Sequence, residues 1–149
     1  MVDYAFNRKA LYEYEVLKKY EAGIVLAGHE VKSIRGGHIS LQGTYVVIRG
    51  TEAYLLNVTI SPYQTKNTPA GYDPVRSRKL LLHKSEISSL IGQTKQKGLT
   101  LVPLRVYNKS GKIKLEFALA RGKKEYDKRE KIKKREFQRE KERTLRSKE

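Results

Sequence analysis

The sequence predicts an α+β fold, mainly β, in which short antiparallel strands are accompanied by two or three short helices and a basic, helix-prone C-terminal tail. Three observations lead to this prediction. Several segments are rich in β-branched and aromatic residues and are separated by turn-forming residues. A few stretches repeat apolar residues at helical spacing. Residues 121–149 are highly charged and show no apolar stripe.

Two hairpins supply the central strands. The first is predicted at residues 44–48 and 53–60, and the second at residues 99–107 and 112–120. In the return strand of the second hairpin, apolar residues at odd positions from 113 to 119 alternate with lysine, glutamate and alanine. This alternation predicts one buried face and one solvated face.

The remaining elements are shorter. Asn7 is a suitable N-cap for a helical turn over residues 8–11, and an alternating pattern predicts a strand from Val16 to about residue 28. A short helix is expected around residues 30–35, before two glycines. A longer one is expected from residue 85 to the glycine at position 98.

A long irregular segment separates the two hairpins. Residues 61–79 contain Pro62, Pro69, Gly71 and Pro74, which exclude regular structure. A loop of this length usually serves a function. The five or six strands around it favour a small antiparallel barrel, because closure removes exposed strand edges. The OB-fold is the preferred form of this barrel.

The charge of the chain points to a polyanionic partner. The formal net charge is +16 and the isoelectric point is about 10, far beyond what solubility requires. Residues 1–120 hold 18 basic and 9 acidic side chains, whereas residues 121–149 hold 14 and 7. The tail therefore carries about three times more net charge per residue than residues 1–120 do. Nucleic acid or an anionic membrane would suit such a surface.

The composition also restricts the chemistry. The chain has no cysteine, which excludes disulfides, thiolate metal sites and thiol nucleophiles and fits a reducing compartment. The N-terminal segment MVDYAFNRKALYEY lacks the apolar core of a secretory leader, and no apolar run approaches the roughly 20 residues that span a bilayer. We therefore expect a soluble cytoplasmic protein without metal or cofactor.

The tail is predicted to change state on binding. Its apolar residues Tyr126, Ile132, Phe137 and Leu145 are too widely spaced to dock on the body or to form a coiled coil. Favourable i,i+4 pairs of acid and base contribute only about 0.2–0.5 kcal/mol each, so the free tail is expected to be largely unfolded. A polyanion that neutralises its charge would make it helical.

Three other functions fit the sequence less well. An enzyme is disfavoured because His29, His38 and His83 are scattered and no catalytic motif accompanies them, although a nuclease site beside Glu30 can be imagined. A ribosomal protein or a general single-strand binder would share the charge, but would show no selectivity among RNAs. Membrane binding is the weakest alternative, since the tail lacks an apolar face.

Several segments resemble the SsrA-binding protein family of bacteria, also called small protein B. They are NRKA at 7–10, GIVLAGHEVKSIR at 23–35, TYV at 44–46, DPVRSRKLLLHKSEI at 73–87 and GKKEYDKR at 122–129. The resemblance covers nearly the whole chain. The patterns GxEVKS and GKKxxDKR, in this order and at this separation, are together highly specific.

The resemblance implies a non-enzymatic OB-fold protein that binds transfer-messenger RNA (tmRNA) in trans-translation, the rescue of ribosomes stalled on messages without a stop codon. It implies that residues 1–120 form a body that grips the tRNA-like domain of this RNA. It also implies that residues 121–149 form a tail that enters the decoding centre and the empty mRNA channel. The expected partners are tmRNA and the ribosome, and the free protein is expected to be a monomer.

The resemblance also assigns residues of the body. Asn7 and Glu30 match positions implicated in holding the tRNA-like domain, and Leu81 lies in a matching segment. Glu30 would accept hydrogen bonds from exposed base amino groups; the alternative is a solvated acid at a helix N-terminus. For Asn7 the alternative is simple N-capping. The candidate phosphate contacts, each of which could equally be a solvated surface charge, are Lys18, Lys19, Lys32, Arg35, Arg76, Arg78 and Lys79.

The tail motif supplies a second set of candidate binding residues. The residues matching it are Lys123, Lys124, Asp127, Lys128 and Arg129, and the set also includes two aromatic residues that depart from the family pattern, Tyr126 and Phe137. Asp127 would cap a helix, and Lys128 and Arg129 would contact ribosomal RNA. Tyr126 and Phe137 stand where many relatives have histidine and tryptophan. Both keep an aromatic face for stacking on a base, which is worth about 1–3 kcal/mol.

Overall fold

A computed structural model describes residues 3–64, 66, 68–123 and 135–141. Within these residues the chain forms nine strands and three helices, followed by a helical stretch at 135–141. In chain order the elements are β1 (Asp3–Phe6), α1 (Arg8–Glu13), β2 (Tyr14–Ile24), α2 (Gly28–Arg35), β3 (Ile39–Ser40), β4 (Tyr45–Arg49), β5 (Glu52–Leu56), β6 (Thr59–Ile60), β7 (Arg78–Leu81), α3 (Lys84–Thr94), β8 (Leu99–Lys109) and β9 (Lys112–Gly122).

Seven of the strands form one antiparallel sheet in the order β1-β8-β9-β2-β7-β5-β4. Its centre is the long pairing of β9 with β8 on one side and with β2 on the other, the latter running from Tyr14 opposite Gly122 to Gly23 opposite Lys114. The strands β3 and β6 form a separate antiparallel pair. The predicted mainly β, antiparallel architecture is confirmed.

The predicted closed barrel is wrong. β1 and β4 are the two edges of the sheet, and no backbone ladder joins them among the described residues. Closure would require β1 and β4 to meet, but a cleft lies between them, lined by residues of both. The structure therefore has a gap between the edge strands β1 and β4, called the open seam below, where the sequence predicted continuous hydrogen bonding.

Both predicted hairpins form, and the backbone conformation of their turn residues explains why the strands pair as they do. Ser110 and Gly111 join β8 to β9 with φ angles of 51° and 77°. Positive φ at both central residues is the signature of a two-residue turn that matches the twist of its strands. In the first hairpin, however, the predicted strand 53–60 is broken. Asn57, with φ of 63°, ends β5 and redirects the chain so that β6 pairs with β3.

The helices pack on the sheet through a few buried side chains. Ile34 of α2 and Leu90 of α3 are each fully buried in the main core. In the same core, the rings of Tyr20 and Phe117 stack with centroids 5.4 Å apart. Burial of these apolar surfaces is the main favourable term that holds the helices against the sheet.

The predicted alternation in β9 holds for only part of the strand. Its odd-numbered apolar residues are buried in the main core, but Ala118 and Ala120 on the opposite face are also buried. The cause is α1, whose Ala10 packs there with Val102 and Leu104 in a second, smaller cluster. The outward face of β9 is thus solvated only near the β8–β9 turn, and the expectation of one uniformly solvated face for this strand is wrong.

The main core should be most sensitive at its central aromatic residue. We expect Phe117→Ala to lower the free energy of unfolding by about 3–5 kcal/mol, because it leaves a cavity between sheet and helices. Urea unfolding followed by circular dichroism measures this change. Leu81→Ala is the matched control, since Leu81 is 56% exposed and its truncation should change stability by less than about 0.5 kcal/mol. Equal losses in both variants would contradict the assignment of the core.

Candidate nucleic-acid interface

The carboxylate of Glu30 lies at the centre of a buried polar cluster. Glu30 is in the first turn of α2, and its Oε1 accepts hydrogen bonds from the Ala27 backbone N–H at 2.9 Å and from Arg76 Nη2. Its Oε2 accepts from Nε and Nη2 of Arg78, and the Tyr72 hydroxyl lies 3.0 Å away. Both oxygens are therefore saturated with donors from the protein itself.

Burial contradicts both expectations for Glu30. The side chain is 0% exposed, so it is not a solvated acid, and its oxygens are not open to a base. Burial alone would raise the pKa of Glu30, but the hydrogen bonds from Ala27, Arg76 and Arg78 outweigh it and lower the pKa to about 2. The carboxylate is thus charged and engaged at neutral pH, and any effect on a ligand must pass through the residues that it holds.

Arg78 is also buried, and it is therefore not a phosphate contact. It is 0% exposed, and besides Glu30 its Nη1 donates to the carbonyl oxygens of Val58 at 2.8 Å, Pro74 at 2.9 Å and Arg76 at 2.8 Å. A guanidinium that donates in this way has no free edge for an oxyanion. Arg78 therefore fastens the long loop between β6 and β7 to the body, and the prediction of a phosphate contact is wrong.

A groove lies on the surface beside this cluster, with a volume of about 320 Å³. α2, the end of β2, the end of β7 and the β8–β9 turn enclose it. Leu81 lies in it with 56% of its surface exposed, and Arg35 Nη2 reaches across to donate to the Gly111 carbonyl at 3.2 Å. The other lining residues are Gly23, Ile24, Leu26, Val31, Lys112, Ile113 and Lys114. The groove thus combines an apolar floor with a cationic rim.

The structure brings together only some of the predicted body residues. Arg35 and Leu81 share the groove, and Lys32 is exposed on the same helix as Arg35. Arg76 is partly exposed and bound to Glu30, whereas Lys79 is exposed and paired with Glu52 at 3.1 Å. Lys112 and Lys114 of the rim are not among the residues predicted from the sequence. Their i,i+2 spacing on the solvated side of a strand was the available signal.

The two lysines of β2 are separated from each other. Lys18 and Lys19 are consecutive in an extended strand, so their side chains leave opposite faces of the sheet. Lys18 Nζ lies over the Tyr20 ring, 5.1 Å from its centroid, and Lys19 Nζ is 3.9 Å from a Glu116 carboxylate oxygen. Both are exposed, and each lies beside a different neighbouring side chain.

Asn7 lies far from the groove and does not cap α1 with its side chain. Although it occupies the N-cap position, its side-chain Nδ2 donates to the Pro103 carbonyl at 2.9 Å. The N-capping alternative is therefore wrong. Asn7 lines the cleft between β1 and β4, which lies beside Tyr14 at the start of β2, whereas the groove lies beside Ile24 at its end. Ten residues of extended strand separate these two positions, a contour length of at most about 33 Å.

The described part of the tail begins against α1. The Lys123 backbone N–H donates to the Glu13 carbonyl at 2.8 Å, and Lys123 Nζ donates to the Leu11 carbonyl at 3.0 Å. Phe137 is 68% exposed in the helical stretch at 135–141. The other predicted tail residues, Lys124, Tyr126, Asp127, Lys128 and Arg129, lie outside the described residues.

Searches of the described residues for other kinds of site give two further findings. No helix among them is long and apolar enough to cross a membrane. No group of three or more histidine, aspartate or glutamate side chains in this part of the chain could hold a metal ion.

Comparison with known proteins identifies the family. The family model described as SmpB protein matches residues 4–147. The chain belongs to the SmpB protein family. Its relatives include the SsrA-binding protein of Sulfurihydrogenibium sp. (strain YO3AOP1), which is 53% identical over 97% of this chain and 94% of that protein. Another is the SsrA-binding protein of Paraburkholderia xenovorans (strain LB400), 52% identical over 95% of each chain.

A solved structure supports the same assignment. The SmpB chain of a structure described as "tmRNA-SmpB: a journey to the center of the bacterial ribosome" superposes with a TM-score of 0.65. It is 50% identical, and the match covers 80% of this chain and 84% of that one. The SmpB family resemblance predicted from the sequence motifs is thereby confirmed.

Removal of the Glu30 charge should destabilise this SmpB body, although the intact cluster adds little net stability. We expect Glu30→Gln to lower the free energy of unfolding at pH 7 by about 3–5 kcal/mol, because it leaves the buried Arg78 guanidinium without its counter-charge. The folded-state pKa of about 2 lies below the ordinary value of 4.5. The contribution of the carboxylate is therefore complete above pH 4.5 and lost as the pH falls towards 2.

Urea unfolding of wild type and variant from pH 7 to pH 2 measures this effect. The stability difference between them should be constant above pH 5 and shrink below pH 4.5. Glu52→Gln is the matched control, because Glu52 is exposed on β5 although it also pairs with a lysine. Its difference from wild type should stay small at every pH. A Glu30→Gln difference that does not change with pH would contradict the buried ion cluster.

Proposed function

We propose that this chain binds transfer-messenger RNA and delivers it to stalled bacterial ribosomes for trans-translation. The observation that carries this proposal is the groove beside α2, with its apolar floor and cationic rim, on a member of the SmpB family with a net charge of +16. The relatives named SsrA-binding protein and the solved tmRNA-SmpB structure support the same partner.

The groove is the proposed site for the tRNA-like domain. Leu81 offers exposed apolar surface for an unstacked base, and Arg35, Lys112 and Lys114 offer charge to the flanking phosphates. This division matches the way in which folded RNA is recognised, by the shape of its loops together with backbone contacts. Lys32 and Lys79, both exposed on the elements that border the groove, extend the cationic surface.

Glu30 acts in this proposal as a positioning residue. Its carboxylate joins the start of α2 to Arg78 at the start of β7, and these two elements form two walls of the groove. A change at Glu30 would alter RNA binding by displacing Arg35 and Leu81 relative to each other. Arg76, which is bound to the same carboxylate but partly exposed, remains available at the surface.

The tail has a separate role in the proposal. Lys123, Lys124, Lys128 and Arg129 would contact ribosomal RNA in the decoding centre, with Asp127 capping a helix and with Tyr126 and Phe137 stacking on bases. Apart from the helical stretch at 135–141, the tail would be largely unfolded in the free monomer, and it would become helical in the mRNA channel. The protein would act by binding rather than catalysis, without a cofactor, in the cytoplasm where ribosomes work.

Binding titrations with tmRNA and with bulk tRNA over a series of salt concentrations test both the selectivity for tmRNA and the contribution of the groove residues to affinity. Wild type should bind tmRNA more tightly than bulk tRNA at equal salt. Leu81→Ala should weaken tmRNA binding about tenfold without changing the salt slope, because it removes an apolar contact. Lys112→Ala should reduce the slope of log affinity against log salt by about 1, because it removes a phosphate contact.

The matched control is Lys95→Ala, an exposed lysine just after α3 that lines neither the groove nor the seam cleft. It should change neither affinity nor slope. If wild type binds tmRNA and tRNA equally, the protein is a general RNA binder of the ribosomal type. If the three variants behave alike, the groove is not the site.

The roles of body and tail can be separated by a triple substitution. Asp127→Ala, Lys128→Ala and Arg129→Ala together should leave tmRNA affinity within about threefold of wild type, because the tRNA-like domain contacts the body. The same variant should abolish peptide tagging on stalled ribosomes in a reconstituted translation reaction. A loss of tmRNA affinity beyond about 2 kcal/mol would show that the tail helps to hold the RNA.

A further inference from the structure

We infer that Tyr72, in the long loop between β6 and β7, is a positioning residue for the groove, because its side chain ties the loop to both α2 and β7. The inference rests on the proposed function and deepens it by naming a residue outside the groove that sets the affinity there. Tyr72 lines neither the groove nor the cleft at the open seam. It therefore acts through the residues that it holds.

The long loop depends on polar contacts for its position. None of its described residues, at 61–64, 66 and 68–77, is fully buried. Its second half is fastened by the Ile60 backbone N–H, which donates to the Pro74 carbonyl at 2.9 Å, and by Arg76, which binds Glu30. A segment without a buried apolar side chain is held only as firmly as its hydrogen bonds hold it. The side chain of Tyr72 adds to these hydrogen bonds.

A tight turn directs Tyr72 towards the body. The Tyr72 backbone N–H donates to the Pro69 carbonyl at 3.2 Å, and Gly71 has a φ of 80°. A turn whose third residue has positive φ favours glycine at that place, so the sequence Pro-Ala-Gly-Tyr at 69–72 encodes this geometry. The side chain of Tyr72 is partly buried as a result, although its neighbours Gly71 and Asp73 are exposed.

The Tyr72 hydroxyl joins three elements of the body at one atom. It accepts a hydrogen bond from Arg78 Nη2 at 2.9 Å, and its proton lies between two acceptors, Glu30 Oε2 at 3.0 Å and the Ile60 carbonyl at 2.9 Å. Burial, together with the charge of Glu30, raises the pKa of Tyr72 above its ordinary value of 10.0. The hydroxyl therefore keeps its proton at neutral pH, and it connects the loop with α2, β6 and β7.

The ring of Tyr72 makes a second contact with α2. It meets the His29 ring edge to face, with the ring centroids 4.7 Å apart and the planes at 89°. His29 Nδ1 is buried and has no hydrogen-bond partner among the described residues, so this nitrogen does not fix the His29 ring. Because His29 and Glu30 are consecutive, Tyr72 holds the first turn of α2 by its ring and by its hydroxyl.

These contacts bear on the groove because α2 and β7 form two of its walls. Arg35 follows Glu30 by five residues of helix, about 7.5 Å along the axis. Leu81 follows Arg78 by three residues of strand, about 10 Å. A shift of the first turn of α2 relative to the start of β7 therefore changes the separation of Arg35 and Leu81. Tyr72 fixes that separation from outside the groove.

Tyr72→Phe tests the inference in the full-length protein, because it removes the hydroxyl and keeps the ring against His29. In the free variant, the NMR signals of the Leu81 methyl groups and the Arg35 side chain should shift from their wild-type positions. Its tmRNA affinity should fall about fivefold, within the range for loss of one hydrogen bond. The slope of log affinity against log salt should stay unchanged, because no phosphate contact is lost.

A double-variant cycle separates positioning from general destabilisation. If Tyr72 acts by placing Leu81, adding Tyr72→Phe to Leu81→Ala should weaken tmRNA binding by less than about twofold further. A change that merely weakened the fold would cost the same factor in both backgrounds. Equal losses of affinity with and without Leu81→Ala would therefore overturn the inference.

Tyr54→Phe is the matched control, because the Tyr54 hydroxyl also donates to a carboxylate, that of Glu52 on β5, and Tyr54 lines neither site. It should change neither the Leu81 signals nor tmRNA affinity. If Tyr72→Phe fails to fold, His29→Ala decides the question. It removes the ring contact, leaves the hydrogen bonds of Glu30 in place, and should shift the same signals and weaken tmRNA binding about threefold.

The spectra of the free protein keep this inference separate from the proposed function. If wild type binds tmRNA and bulk tRNA equally, the proposed function fails, and shifts at Leu81 and Arg35 in Tyr72→Phe still support the positioning role. If wild type prefers tmRNA but Tyr72→Phe matches Tyr54→Phe in spectrum and affinity, the inference alone is overturned.

Discussion

The arrangement of α2, β7 and the long loop depends on the burial of one carboxylate. Glu30 accepts hydrogen bonds from its own helix start, from Arg76 and from Arg78, and the loop reaches it through Tyr72 as well. Desolvation of the three charges offsets much of the attraction between them, so the cluster is a weak source of net stability. Its effect is on specificity: the loop has few apolar anchors, and this geometry satisfies all the buried charges at once.

The groove follows from this constraint. α2 and β7 are its two walls, and the buried cluster fixes the position of one relative to the other. Arg35 at the end of α2 can then reach the Gly111 carbonyl of the β8–β9 turn, and this places the rim beside the exposed Leu81. Glu30, which the family resemblance assigned to RNA binding, is thus buried behind the groove and not exposed in it. An acid on an RNA-binding surface would repel phosphate, whereas a buried acid can position cations without meeting the RNA.

The sequence predicts structure that depends on residues close together in the chain, and it misses contacts between residues that are far apart in the chain. The hairpin strands, the faces of the helices and the turn at Ser110 and Gly111 follow from periodicity and turn residues within short windows. The burial of Glu30 does not, because its partners Arg76 and Arg78 lie 46 and 48 positions further along the chain. The open seam was missed for the same reason. Closure depends on how two edge strands meet, and their composition is that of any strand.

The open seam determines which side chains the body exposes between β1 and β4. A closed barrel would bury the hydrogen-bonding edges of β1 and β4 against each other and would leave little space between them. Because the sheet stays open, the two edges expose Phe6 and Tyr45 on either side of a cleft, at the opposite end of β2 from the groove. The tail begins at Lys123, which is held against the end of α1 near the seam, so the highly charged segment leaves the body at the end of β2 opposite the groove.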